Sequence, residues 1–367
     1  MTHGQMDTRI EWPGACCQLR IGPLDEAIDD ELLGPLPTSQ LLLRDSGVEE
    51  SSLDSLRQIL SRRAPLVEQV VAGGEESKQS ASFRNILEMM ADSGLDRGGL
   101  LLVAGGGALA DSAAFAASIW HRGVPWIAIP TTLLAMVDAH IGGKTAIHFE
   151  GIKNRIGSFH LPRAVISDVG FLESLPVDQR AMGWAELIKA AWIGDPDLFE
   201  SLENDPAAIP KNLIPTVEQL ASAVAVKVAI VEQDPFEENR REVLNLGHTL
   251  AHALEMNTSP PMLHGEAVAR GFCFAARLAE EIGEAPAGTE RRIAKVLKRV
   301  GLPTDLGGFD LEVVMPALLA DKKTRGQQGR WVIPCAPGKV VVKSVPTEVI
   351  ERLLRSSPPE SIVNPAG

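Results

Sequence analysis

At 367 residues, 45% apolar and 23% charged, the chain is long enough to bury a large core and is expected to form two domains. A formal charge of −13 with no run of Lys or Arg argues against nucleic acid or an anionic membrane as partner. The four cysteines, an adjacent Cys16 and Cys17 with Cys273 and Cys335 far off, write neither a disulfide framework nor a CxxC site. MTHGQMDTRIEW has no apolar signal-peptide core, and no uncharged apolar run reaches the roughly 20 residues of a membrane span, so a cytoplasmic location is expected.

In chain order, the runs QLLLRDS (40–46), LVEQVVAGG (66–74), GLLLVAGGG (99–107), WIAIPTT (126–132) and RAVISD (163–168) alternate with helix-like segments. Continuous Val/Ile/Leu runs predict buried parallel strands with helices crossing between them, hence a doubly wound, Rossmann-like α/β domain over residues 1–178. From about Met182 the pattern changes: WAELIKAAWIG (184–194), TVEQLASAVAVKVAIVEQ (216–233) and HGEAVARGFCFAARLAEEIG (264–283) have helical periodicity. They predict an all-helical second domain over 179–356. The Pro/Ser-rich end, 357–367, is expected to be disordered.

Several stretches carry chemistry. In VAGGGALAD (103–111) a strand runs into three glycines and then a helix, whose backbone N–H groups suit a pyrophosphate; a glycine turn with no ligand has the same pattern. GGEESK (73–78) adds a second turn with a carboxylate and an amine, and Asp45 stands just past a strand end, where it can hold a ribose hydroxyl or simply be solvated. PTTLLAMVDAHIGGKT (130–145) sets Asp138 and Lys144 around a Gly-Gly turn and precedes KNRIGSFH (153–160), which suits an anion pocket. An ordinary surface loop fits the apolar TTLLAMV poorly.

Glu186 and Lys189 of WAELIK share a helix face at i,i+3, the usual spacing of a surface ion pair. Lys227 lies at the edge of the apolar row Leu220, Val224, Val228 and Val231, where it can snorkel or turn inward. Arg241, Asn245, His248 and His252 predict one continuous polar helical face. Within it the His pair at i,i+4 suits metal ligands and core histidines alike, and Thr249 stands where a zinc protease needs its glutamate. Glu186, His248 and His264 make up two imidazoles and a carboxylate, the type of set that holds Zn²⁺ with positions left open. The cations Lys144, Lys189, Lys227, Arg241, Lys322 and Lys323 suit a phosphorylated, carboxylated substrate.

Taken together, GGGALAD, RGVPWIAIPTTLLAMVDAHIGGKT, KNRIGSFHLP, AELIK, LNLGHTLAHALE, LHGEAVARG and DKK, in that order between Asp45 and Pro334, resemble 3-dehydroquinate synthase and its sugar phosphate cyclase relatives. The resemblance implies an N-terminal NAD-binding domain, a C-terminal metal- and substrate-binding domain and a homodimer. It implies that NAD is held by Asp45, Glu75, Lys78, Gly105, Gly106, Gly107, Asp111, Thr131 and Thr132. Zn²⁺, or Co²⁺ in its place, falls to Glu186, His248 and His264, which leaves His252 as a contact near the substrate phosphate. That phosphate maps to Lys144, Asn154 and Lys322 or Lys323, with Arg122 reaching in from a neighbouring subunit. Asp138, Lys189, Lys227, Asn245 and Arg241 map to the carboxylate and ring hydroxyls.

The implied reaction turns 3-deoxy-D-arabino-heptulosonate 7-phosphate into 3-dehydroquinate and phosphate, a shikimate-pathway lyase step in which NAD is regenerated at each turnover. The chain departs from the family pattern in reading DAH (138–140) for DSS, KNRIGSF for KNxIGAF, Ala110 for a glycine, and DVG (168–170) without the usual polar residue. The KNR form is similar to cyclases acting on sedoheptulose 7-phosphate, such as 2-epi-5-epi-valiolone synthase. Arg241 favours the carboxylated substrate, because a guanidinium placed for a carboxylate is a liability with an uncarboxylated sugar. Metal-dependent polyol dehydrogenases share the two-domain plan but do not call for the lysine cluster.

Overall fold

The computed structural model describes residues 6–12, 14–258, 261–306, 310–323 and 329–356, with backbone alone at 319–323. The chain divides into two units, Met1–Gly183 with Ile214–Phe236, and Trp184–Leu213 with Glu237–Gly367. The boundary expected at 178 thus differs from the observed division, chiefly because 214–236 belongs with the first unit. The cause is the apolar row predicted from its sequence. The helix Val217–Gln233 buries Leu220, Val224, Val228 and Val231 and packs on the first two strands. Thr216 starts this helix with a capping box: its Oγ1 accepts from Gln219 N at 3.2 Å, and Gln219 Oε1 accepts from Thr216 N at 3.0 Å.

The first unit holds a seven-stranded sheet. Its strands are β1 (Met6–Trp12), β2 (Ala15–Ile21), β3 (Gln40–Asp45), β4 (Leu66–Val71), β5 (Leu100–Gly105), β6 (Trp126–Pro130) and β9 (Ala164–Ser167); β7 (Lys144–Phe149) and β8 (Ile152–Phe159) form a separate pair. The order is β1-β2-β9-β6-β5-β3-β4, parallel throughout except for β1 against β2. Leu41 pairs with Val67 on one side and Leu101 on the other, and Leu41–Leu43 and Leu101–Val103 are fully buried. These are the strands whose apolar runs were unbroken.

From β3 the chain goes outward to β4 and returns on the other side of β3 as β5. The carboxyl ends of β3 and β5 therefore flank a topological switch point, the place where open α/β sheets take ligands. Asp45 closes β3 there and Gly105 closes β5. The β7–β8 pair turns at Glu150 and Gly151, with φ of 51° and 73°, as a two-residue primed turn requires.

The second unit is helical, with Pro196–Asn204, His248–Asn257, His264–Glu281, Thr289–Arg299, Leu311–Lys323 and Thr347–Arg355 joining the later part of Val177–Gly194. It also carries an antiparallel pair, β10 (Gly329–Ala336) with β11 (Lys339–Val345), so the expectation of an all-helical domain is corrected on this point. The expected continuous polar face is corrected as well. Arg240–Asn245 is a 3₁₀ turn, and Gly247, at φ 82°, breaks it from the helix His248–Asn257. A Cβ on Gly271 would lie 2.0 Å from Gly247 O, so glycine at this crossing lets the helices carrying His248 and His264 approach. No helix among the described residues is long and apolar enough to cross a membrane. Residues 357–367 lie outside the described ones.

Candidate functional site

In the second unit, Glu186, His248 and His264 bring one ligand atom each to within 4.8 Å of one another. Glu186 Oε1 lies 3.5 Å from His248 Nε2 and 3.4 Å from His264 Nε2, is buried, and has no hydrogen-bond partner. Each imidazole is oriented from behind. His248 Nδ1 faces Leu246 O at 3.3 Å, and His264 Nδ1 meets Glu255 Oε1 at 2.8 Å. With Nδ1 engaged, both Nε2 lone pairs turn to the same point as the orphaned carboxylate oxygen, as the outer shell of a metal centre requires. The donor set fits a metal ion.

Lys189 pairs with the other oxygen, Glu186 Oε2, and donates to Leu244 O at 2.7 Å. The pair is 3% and 1% exposed, so this i,i+3 spacing marks a buried bridge instead of the usual surface one. Burial works against ionisation of Glu186, but Lys189, His248 and His264 hold its carboxyl well below the usual carboxylate range. Burial and Lys189 push His248 down to about 3. For His264 burial is outweighed by the neighbouring Glu186 and Glu255 carboxylates, which lift it to about 10.

In the first unit, Asp45 packs between glycines: a Cβ on Gly73 would lie 2.0 Å from its Oδ2, and one on Gly105 would lie 3.1 Å from its Cβ. Gly47 N donates to Asp45 Oδ1 at 2.9 Å. Gly106 precedes the helix Gly107–Ile119 with no side-chain cap, so the first N–H groups of this helix are not spent on one. Thr131 is buried and its N–H donates to Gly105 O at 3.1 Å, while Thr132 Oγ1 accepts from Ala135 N at 3.2 Å. Lys78 Nζ bridges Asp111 Oδ2 at 2.5 Å and Asn154 Oδ1 at 3.0 Å. Burial lifts Asp111 to about 6 against the pull of Lys78. Glu75 faces His148 Nε2 at 2.9 Å. The fold thus gathers the residues expected around NAD, and it joins Asn154 to them.

The remaining expected residues fall as follows. Asp138 sits in a π-helical turn, Ala135–Ala139, and Lys227 Nζ donates to its Oδ1 at 2.5 Å and its O at 2.6 Å. Lys227 is 7% exposed, so it turns inward and does not snorkel. Lys144 is exposed at the start of β7 beside the left-handed Gly142 and Gly143. Arg122 is exposed and, with His121, takes a left-handed φ, 68° and 49°. In the second unit Arg241 is buried, Asn245 Nδ2 donates to Glu237 Oε1 at 3.0 Å, and His252 is exposed with its ring 5.5 Å from that of His248. Lys322 and Lys323 end the helix Leu311–Lys323, and their side chains lie outside the described ones.

Four residues escaped the sequence reading. Glu255 had a signal: it follows His248 by seven positions, two helical turns on the same face. Glu237 and His148 had none, since their partners lie across turns. His140 is the residue that departs from DSS; it is 2% exposed and neither ring nitrogen has a hydrogen-bond partner. Gly106 lies close to that ring without closing a hydrogen bond, and burial pushes the imidazole down to about 4.

The families described as 3-dehydroquinate synthase N-terminal and C-terminal match residues 68–182 and 183–324. The 3-dehydroquinate synthase of Mycolicibacterium vanbaalenii is 43% identical over 273 residues, 73% of this chain and 75% of that protein. That of Thermoanaerobacter sp. is 37% identical over 317 residues, covering 86% and 89%. Among solved structures, 2-epi-5-epi-valiolone synthase from Streptomyces hygroscopicus subsp. jinggangensis, with NAD⁺ and Zn²⁺ bound, is similar with a TM-score of 0.81 and 26% identity over 94% of this chain and 98% of that one.

Proposed function

We infer that this chain, which belongs to the 3-dehydroquinate synthase family, is an enzyme that converts 3-deoxy-D-arabino-heptulosonate 7-phosphate to 3-dehydroquinate and phosphate. The observation that carries the reading is the convergence of His248 Nε2 and His264 Nε2 on the unpartnered Glu186 Oε1. These three would hold Zn²⁺, which supplies Lewis acidity at a substrate hydroxyl. Asp45, Glu75, Lys78, Gly105–Gly107, Asp111, Thr131 and Thr132 would hold NAD, which supplies reversible oxidation of that carbon. A homodimer and a cytoplasmic setting belong to the same proposal.

The chain's own residues then bind and orient. Lys189 keeps Glu186 ionised without leaving a bare charge in the interior. The Asp138–Lys227 pair presents an acceptor and a donor held at fixed separation, suited to adjacent ring hydroxyls. Glu237 fixes the Asn245 carboxamide for the same purpose. Arg241 takes the substrate carboxylate. Lys144, Asn154, His252 and the Lys322–Lys323 pair take the phosphate, with Arg122 supplied by a second subunit. Once the neighbouring carbon is a ketone, the adjacent C–H is acidic, and phosphate leaves by β-elimination with its own oxygen taking the proton. The cations orient that leaving group and stabilise its charge.

The second reading, a cyclase of sedoheptulose 7-phosphate, draws on DAH and KNR and on the valiolone synthase fold. Phosphate release by the NAD- and zinc-loaded protein, with both sugar phosphates in parallel, separates them. Release from the heptulosonate alone, without net NADH, is expected. Release from sedoheptulose 7-phosphate alone would overturn the carboxylate role of Arg241, and NADH accumulating with a polyol would make the chain a dehydrogenase.

A further inference from the structure

The β7–β8 hairpin carries Asn154 in a left-handed conformation, φ 52°, which is uncommon away from glycine and which asparagine enters more readily than most side chains. What holds it is His148, on the opposite strand. The Asn154 backbone N–H donates to His148 Nδ1 at 3.1 Å, and the ring is buried. An accepting Nδ1 leaves the proton on Nε2, and that edge lies 2.9 Å from Glu75 Oε1, although off the line of a good hydrogen bond. Burial keeps the imidazole on the neutral side against the pull of Glu75, with Lys78 and Lys153 adding to the effect of burial. The Asn154 carboxamide in turn accepts from Lys78, which is paired to Asp111.

We propose that His148 is a positioning residue: by accepting the Asn154 amide it fixes the left-handed turn and so delivers the Asn154 carboxamide to Lys78 and to the bound sugar phosphate. The substrate part rests on the function inferred above; the positioning part does not. His148 would act only through Asn154, and its neutral form is essential, because an imidazolium has no acceptor to offer the amide.

Three variants separate the two edges of the ring. His148→Asn keeps an acceptor where Nδ1 stands, His148→Gln reaches toward Glu75 but lacks that acceptor, and His148→Ala lacks both. Hydrogen exchange of the Asn154 amide in the unloaded full chain is expected to quicken about 5–10-fold in the Gln and Ala variants, the worth of one hydrogen bond, and to stay within about 2-fold of the parent in the Asn variant. In the NAD- and zinc-loaded enzyme, the KM for the sugar phosphate should rise about 5–10-fold in the same two variants with kcat little changed, and the Asn variant should recover it. An Asn variant as impaired as the Ala variant, or an Ala variant that exchanges like the parent, would overturn the proposal. If the parent releases no phosphate from any sugar phosphate, it is the functional reading that fails, and the exchange comparison still decides the role of His148.

Discussion

Replacing His140 by leucine should stabilise the first unit, and increasingly so as the pH falls. The ring is 2% exposed, both nitrogens are without partners, and leucine is of comparable volume. Removing an unsatisfied buried polar group in favour of an apolar one of similar shape is near neutral or stabilising, so at pH 7.5 the variant should match the parent or exceed it by up to about 1 kcal/mol. The pH dependence follows from linkage. The folded pKa, about 4, lies below the ordinary value of 6.5, so between these values the unfolded chain binds the proton and the folded chain does not. The parent therefore keeps its full stability above pH 6.5 and loses it as the pH falls toward 4. A gap of about 2.5 units integrates to about 2–3 kcal/mol by pH 4.5. Urea midpoints of parent and variant, read on the transition of the first unit at pH 7.5 and 4.5, give the double difference in which the other titrating groups cancel. Parallel pH dependences, or a variant more than about 1 kcal/mol less stable at pH 7.5, would mean that the ring nitrogens do have partners, such as a buried water.

Three other outcomes test the site. Glu255→Gln keeps an acceptor for His264 Nδ1 but removes its charge, and zinc affinity measured by chelator competition should fall about 10-fold or more; unchanged affinity would remove Glu255 from the metal centre. Arg241→Ala should lower kcat/KM for the heptulosonate by about 2–5 kcal/mol, since Arg241 is buried, and leave sedoheptulose phosphate no better a substrate; a variant with parental kcat/KM would sink the carboxylate assignment. Lys227→Met should depress phosphate release far more than it depresses the melting temperature, because Asp138 stays partly solvated and can lose its partner without unfolding the unit; a large drop in melting temperature with little change in turnover would make the pair structural.

What could be seen in the sequence was whatever obeyed a local period. β3, β5, β6 and β9 are buried on both faces and therefore wrote unbroken apolar runs, and Val217–Gln233 wrote a helical row bounded by its own capping box. β1 and β2 largely alternate apolar with charged or polar residues and did not stand out from the segments beside them, whereas β10 and β11 carry the short apolar runs WVIPCA and VVV, which the expectation of an all-helical second domain passed over. The break before His248 was hidden for another reason. Spacings of four, three and four are indifferent to a glycine between them, and only the approach of Gly271 shows why Gly247 leaves the helical path.

The metal-type centre shows the limit most clearly. No period links Glu186 to His248 or His264, so their common purpose was legible through the type of side chain and through resemblance, whereas their geometry depends on a helix crossing that only small residues permit. The outer contacts divide along the same line. Glu255 shares a helix face with His248 and could have been found by counting, but Leu246 O acts through its backbone and has no side-chain signature at all. The β7–β8 hairpin extends the argument to the other unit. Its turn places Glu150 where Asn or Asp would have announced it, and without that turn nothing in KTAIHFEGIKN says that His148 faces the amide of Asn154. Residues that act through backbone groups leave no pattern in composition or spacing, and a sequence reading will miss them wherever a site is built on a turn.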